Sequence, residues 1–226
     1  ATEKGMFYAI QTFFQLLPAE IESAKPLKMK LSVPAVKIAD HPRFSYRGVM
    51  IDVSRHFFTV EELKKQISVM AMLKLNRLHL HLTDNQGWRI AIDKYPQLVE
   101  YSAVQETYNE ELYGPCYYTK EDIKELVAYA DRHHIEVIPE IEFPGHSLSA
   151  LVPFPGLSCS GGPFKSEQVF GYEENVFCVG NDSVFTFMEN VLTEIAELFP
   201  ARYLHIGGDE CVKLSLIHIS EPTRRS

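Results

Sequence analysis

The chain has 226 residues, 46% of them hydrophobic and 23% charged, which is ordinary for a globular protein and sufficient for a sizeable core. A formal net charge of −8 with scattered basic residues argues against a nucleic-acid partner, and no continuous apolar run reaches membrane-spanning length. The sequence opens at Ala1 with neither an initiator Met nor a leader pattern, which leaves the compartment open among secreted, periplasmic and lysosome-like locations.

Residues 5 to 17 read as an amphipathic helix ended by Pro18, and residues 27 to 38 alternate like a strand, with Pro42 closing the passage. Residues 1–42 are expected to be the end of an N-terminal α/β domain. From Arg47 the pattern changes. Val49 to Val53 is a buried-type strand, and Thr59 with Glu62 forms a capping box that opens a helix whose Val60, Leu63, Ile67, Met70 and Ala71 share a face. Arg77 to Thr83 alternates strictly as a second strand. A helix from about Thr119 to Arg132 buries Ile123, Leu126, Val127 and Ala130, and a third strand runs from Ile135 to Ile141. A long Pro/Gly-rich loop then extends from Phe143 to Gly180. Asp182 is expected to cap a helix carrying Met188, Val191, Leu192, Ile195 and Phe199, and Tyr203 to Ile206 is the fourth strand. Strands that alternate with helices predict an α/β fold with a parallel sheet: a partial (β/α)8 TIM barrel, about the first four β/α units, over residues 43–214. Pro139 stands in tension with this, because it removes a ladder donor inside the third strand.

Polar residues collect where each strand ends: Arg55 after the first, Asp84 after the second, His146 after the third, and Asp209 with Glu210 after the fourth. In a (β/α)8 barrel these positions share the rim on which active sites are built. Adjacent carboxylates point in different directions, so one can donate a proton while the other orients substrate or stabilises positive charge, a division that suits glycoside cleavage. Each group also has a structural alternative: Asp209-Glu210 a polar turn, Arg55 a surface arginine at a helix entry, Asp84 a turn cap with Asn85 and Gly87, and His146 an incidental loop histidine. Trp88, the only tryptophan, reads as core in preference to a sugar platform. His79 and His81 share one strand face, as metal ligands do in some barrel hydrolases, with His205 and Asp209 as further candidates; the spacing matches no metal motif, and packing within the barrel is the alternative.

Four cysteines, Cys116, Cys159, Cys178 and Cys211, lack metal-type close pairing. Cys159 and Cys178 flank one loop segment and would cross-link it in an exported protein, or stay as thiols in a reducing compartment.

Four stretches, Arg47 to His56 (RGVMIDVSRH), Leu78 to Arg89 (LHLHLTDNQGWR), Ile138 to His146 (IPEIEFPGH) and His205 to Glu210 (HIGGDE), together resemble the signature blocks of β-N-acetylhexosaminidases of glycoside hydrolase family 20, in that family's order, across roughly Gly5 to Glu210. The resemblance implies exo-acting, retaining hydrolysis of terminal β-linked N-acetylglucosamine or N-acetylgalactosamine, in which the substrate's own 2-acetamido oxygen attacks the anomeric carbon. It implies Glu210 as general acid and then base, Asp209 as the group holding the acetamido N–H, and Arg55 as the grip on the terminal sugar's hydroxyls. Asp84 and His146 match a network that tunes the acid; Asp52, His81 and Glu140 match supporting positions. No cofactor and no metal are implied, and the partners are N-acetylhexosamine-terminated glycans. The alternatives are a catalytically inactive carbohydrate-binding homologue and a metal-dependent barrel hydrolase.

The family barrel has eight units, whereas this sequence ends shortly after the fourth strand, without the later aromatic residues that enclose the sugar. Residues 215–226 resemble translated adaptor or vector sequence and are expected to be a non-native tail. The 226-residue chain alone is therefore expected to be inactive and to self-associate through the open side of the half barrel.

Overall fold

The computed structural model describes residues 2–26, 28–106, 111–165 and 175–211. The expected non-native tail at 215–226 lies outside the described residues. In chain order the elements are α1 (Glu3–Gln15), β1 (Gly48–Asp52), α2 (Val60–Met72), β2 (Arg77–His81), β3 (Thr83–Asp84), β4 (Gly87–Trp88), α3 (Gln97–Ser102), β5 (Gln105–Glu106), β6 (Leu112–Tyr113), α4 (Lys120–Arg132), β7 (Glu136–Glu140), α5 (Leu148–Leu151) and α6 (Asp182–Leu198). Among the described residues, no helix is long and apolar enough to cross a membrane.

Strands β1, β2 and β7 form a parallel sheet in that order, in register from Gly48 opposite Arg77 to His81 opposite Glu140. Alternation divides β2 between two faces. Leu78 and Leu80 are fully buried in one core cluster with Leu63 and Ile67 of α2 and Ile123 and Leu126 of α4, while His79 and His81 leave from the opposite face. Both crossover helices start as their sequences dictate. Thr59 Oγ1 accepts the Glu62 N–H and the Glu62 carboxylate accepts the Thr59 N–H; Thr119 and Asp122 make the same reciprocal pair at the start of α4.

The fourth strand is reduced to a single parallel bridge between Glu140 and His205. Pro139 limits it on the upstream side, and on the downstream side Gly207, at φ 64°, interrupts the ladder. The Pro139 carbonyl accepts the His205 N–H at 3.0 Å, so the hydrogen-bonding edge of Pro139 faces the 203–206 segment and its missing N–H is lost from that ladder. Pairing resumes at the Ile141 N–H to His205 O and the Phe143 N–H to Ile206 O, both 3.1 Å.

Two expectations are corrected. Residues 28–38 form no strand: no described segment pairs with them, and Pro34 interrupts their donors. The cap of α6 is Asn181, whose Oδ1 accepts the Ser183 N–H at 3.0 Å; Asp182 is already helical and contributes a negative charge to the first turn. Helix α1 ends at Gln15, before Pro18, and none of its residues is buried. Polar ties hold it: Lys74 Nζ donates to Thr12 Oγ1 (2.6 Å), Gln15 Nε2 to Met72 O (2.8 Å) and Arg47 Nη2 to Tyr8 Oη (3.1 Å). Within the long loop, Cys159 and Cys178 form a disulfide, closing the alternative left open by their spacing.

Candidate active site

In-register parallel pairing aligns the last residues of successive strands. Asp52 lies opposite His81, His81 opposite Glu140, and Glu140 bridges to His205, so four ionisable side chains occupy one level of the sheet. One step beyond, the β3–β4 hairpin brings in Asp84, which is fully buried, and the turn after β7 brings in His146.

These groups form an alternating chain of carboxylates and imidazoles. Glu140 Oε2 is 2.7 Å from His81 Nδ1, His81 Nε2 is 2.9 Å from Asp84 Oδ2, and Asp84 Oδ1 is 3.1 Å from His146 Nδ1. His146 Nε2 then faces Glu210 Oε2 at 3.3 Å and Asp209 Oδ2 at 3.8 Å, within ion-pair range but not aligned as hydrogen bonds. Arg55 spans the near side, with Nη1 at 2.8 Å from Asp52 Oδ2 and Nη2 at 2.7 Å from Asp84 Oδ2. The structure thus gathers Asp52, Arg55, His81, Asp84, Glu140 and His146 into one network, with Glu210 at its solvent end and Asp209 beside it on the rim. The Asp209 and Glu210 side chains are 67% and 72% exposed. His146 and Glu210 both adopt left-handed backbone conformations (φ 49° and 46°), a region uncommon for non-glycine residues.

Burial alone would lower the His81 pKa, yet its hydrogen bonds to Asp84 and Glu140 carry it up to about 10. Burial would raise Asp84, but His146, His81 and the Asn85 N–H hold it well below the usual carboxylate range; His79 and His81 do the same for Glu140. His146 is raised, chiefly by its bond to Asp84. A raised histidine stabilises the fold fully below its unfolded pKa of about 6.5 and loses that contribution as pH climbs through its folded value. Depressed carboxylates contribute above about pH 4 and lose it on acidification. Thermal stability should therefore be greatest between roughly pH 4 and 6.5 and fall on the alkaline side, by an upper bound on the order of 5 kcal/mol from His81 alone. Melting temperatures of the protein and its His81→Gln variant across pH 4 to 10 check this, and parallel alkaline limbs in the two would contradict it.

The family model described as glycosyl hydrolase family 20, catalytic domain, matches residues 44–219. The chain belongs to glycosyl hydrolase family 20. It is 49% identical over 209 residues to a beta-hexosaminidase of Porphyromonas gingivalis, covering 92% of this chain and 27% of that protein. It superposes on the family 20 beta-N-acetylhexosaminidase of Streptomyces coelicolor A3(2) with a TM-score of 0.86 at 43% identity, and on the N-acetyl-beta-hexosaminidase of Streptomyces plicatus in complex with Thio-NAglucal with a TM-score of 0.85 at 44% identity. Each superposition covers 91% of this chain and 41% of the other. The chain thus spans well under half the length of these family 20 relatives, and its fold belongs with their TIM-barrel catalytic domains.

Trp88 is core, 2% exposed, with its indole N–H donated to Ile90 O at 2.8 Å. Of the four candidate metal ligands His79, His81, His205 and Asp209, only His79 and His205 meet in one three-residue set, with Glu140. His79 and His205 both turn toward Glu140 (2.8 and 2.6 Å), whereas Asp209 falls with His146 and Glu210. Sequence reasoning missed Glu142, which is 2% exposed with Oε1 3.7 Å from His81 Nδ1, and which burial and the neighbouring Glu140 push above the usual carboxylate range. Its position two residues beyond Glu140 was the available clue, since alternation returns it to the same face. Gly207 is required beside it: the backbone there has φ 64°, and a Cβ would fall 1.8 Å from Glu142 Oε2.

Proposed function

We propose that the protein containing this chain is an exo-acting β-N-acetylhexosaminidase that releases terminal β-linked N-acetylglucosamine or N-acetylgalactosamine with retention, using the substrate's acetamido group as nucleophile. The observation that supports this reading best is the hydrogen-bonded Glu140–His81–Asp84–His146 chain, whose last imidazole lies within ion-pair distance of Glu210. A general acid that must later become a base benefits from a neighbouring imidazole whose charge is set by buried carboxylates, because the pair shares the charge change that accompanies each proton transfer. In this scheme Glu210 protonates the leaving oxygen and then activates water. Asp209 orients the acetamido N–H and stabilises the positive charge of the cyclised intermediate. Arg55, drawn taut between Asp52 and Asp84, binds hydroxyls of the terminal sugar.

Within this reading residues 1–42 are the end of a preceding α/β domain and residues 43–214 carry the first four β/α units of the barrel. The Cys159–Cys178 disulfide supports an oxidising compartment. The test is hydrolysis of a chromogenic N-acetyl-β-glucosaminide by a full-length protein carrying this chain, with the anomer released followed by NMR. Turnover with the β-anomer formed first is expected. Sugar binding without turnover would establish the inactive carbohydrate-binding homologue instead, and initial release of the α-anomer would overturn retention.

A further inference from the structure

Arg89, immediately after β4, is completely buried, and all five of its N–H donors are used. Nε and Nη2 donate to Ser54 O (3.1 and 2.6 Å), Nη1 to Val104 O (2.8 Å) and Cys116 O (3.2 Å), and Nη2 also to Gln105 Oε1 (3.2 Å). Every one of these acceptors is a neutral carbonyl or amide oxygen. Burying a guanidinium against neutral acceptors costs free energy that an apolar side chain of similar size would not incur, so what the arrangement yields is geometry.

The geometry it yields surrounds Arg55. Gln105, 6% exposed, donates Nε2 to Arg55 O at 3.1 Å and accepts the Phe57 N–H on Oε1 at 3.1 Å, the same oxygen that Arg89 holds. Ser54 is pinned again by its hydroxyl, which donates to Gly87 O at 2.7 Å. Gly87 has no room for a side chain, since a Cβ would lie 2.3 Å from Arg89 Cζ, and the guanidinium packs directly on the hairpin that carries Asp84. Backbone groups on both sides of Arg55 are thus tied to one guanidinium–amide unit, while the Arg55 side chain is stretched between Asp52 and Asp84.

We propose that Arg89 and Gln105 are positioning residues that act on substrate through Arg55, by fixing the 54–57 backbone turn from which its guanidinium reaches the terminal sugar. The role rests on the hexosaminidase reading above. It also makes the site intolerant of lysine at position 89, which has three donors for five acceptor contacts.

A double-mutant cycle in the full-length protein decides it, with kcat and KM measured on an aryl N-acetyl-β-glucosaminide for Gln105→Met, Arg55→Ala and the pair. Gln105→Met should lower kcat/KM about 10-fold, mostly through KM, in the wild-type background and less than about 2-fold in the Arg55→Ala background. Arg89→Lys should follow the same pattern with a larger loss, and where it fails to fold the Gln105 cycle stands alone. Equal losses in both backgrounds would mean that Gln105 acts on general stability, and would overturn the proposal while leaving the function intact. A folded wild-type protein without turnover would overturn both.

Discussion

Replacing Glu210 by Gln in the full-length protein should reduce turnover of a natural-type glycoside by roughly 10²- to 10⁴-fold, the range typical of losing a positioned general acid. The substitution keeps the side chain's size, so the folded state and sugar affinity should change little: the Glu210 side chain is 72% exposed and, among the described residues, meets the network at His146. The loss should shrink for aryl leaving groups that depart without protonation. Asp209→Asn should behave differently. Its task in the proposed scheme is to hold the acetamido group, which every substrate needs, so its loss should be independent of leaving group. Plots of log kcat/KM against leaving-group pKa for both variants would separate the roles, and identical slopes would refute the division of labour between Asp209 and Glu210.

A larger effect is expected from changing the substrate. In the proposed scheme, replacing the 2-acetamido group by a 2-hydroxyl removes the tethered nucleophile and leaves the remaining contacts in place. Intramolecular nucleophiles act at effective concentrations of about 10⁵ to 10⁸ M, so cleavage of a plain β-glucoside should fall by on the order of 10⁵-fold or more. A thiazoline analogue of the cyclised intermediate should inhibit strongly for the same reason, because it presents the geometry to which the site is complementary. Mass spectrometry of the protein trapped during turnover provides the opposing outcome: a sugar covalently attached to Asp209, Glu210 or Glu142 would replace substrate assistance by an enzyme nucleophile.

The sequence by itself determined the types of the main strands and helices from Gly48 onward and the identity of the polar groups at the strand ends. Those properties are local. A 3.6-residue apolar period with Thr59 and Glu62 at its start makes α2 whatever follows, and strict alternation from Arg77 divides Leu78 and Leu80 from His79 and His81 before any sheet exists. Asp84 illustrates the boundary. Its neighbours Asn85 and Gly87 announce a turn, and it does accept the Asn85 N–H at 2.6 Å, but it also joins His81 and His146, two histidines separated from each other along the chain.

What only the tertiary structure decided was pairing. Residues 28–38 carry a strand pattern and form none, because a strand exists only where another backbone satisfies its donors and acceptors. Pro139 looked unfavourable for a strand, yet β7 keeps its full ladder with β2 because the proline's vacant donor position faces the 203–206 segment. Arg89 and Gln105 carried no positional signal of their roles, and for Glu142 alternation from Glu140 gave only its face; their importance comes from burial beside groups far away in sequence: Arg89 reaches Ser54, and Gln105 reaches Arg55. Residue type and spacing specify which chemistry is available at the strand ends. The sheet register and the desolvation of those groups determine which carboxylate holds which imidazole, because ion pairing and pKa depend on distance through space and on the loss of water, neither of which is written in local sequence.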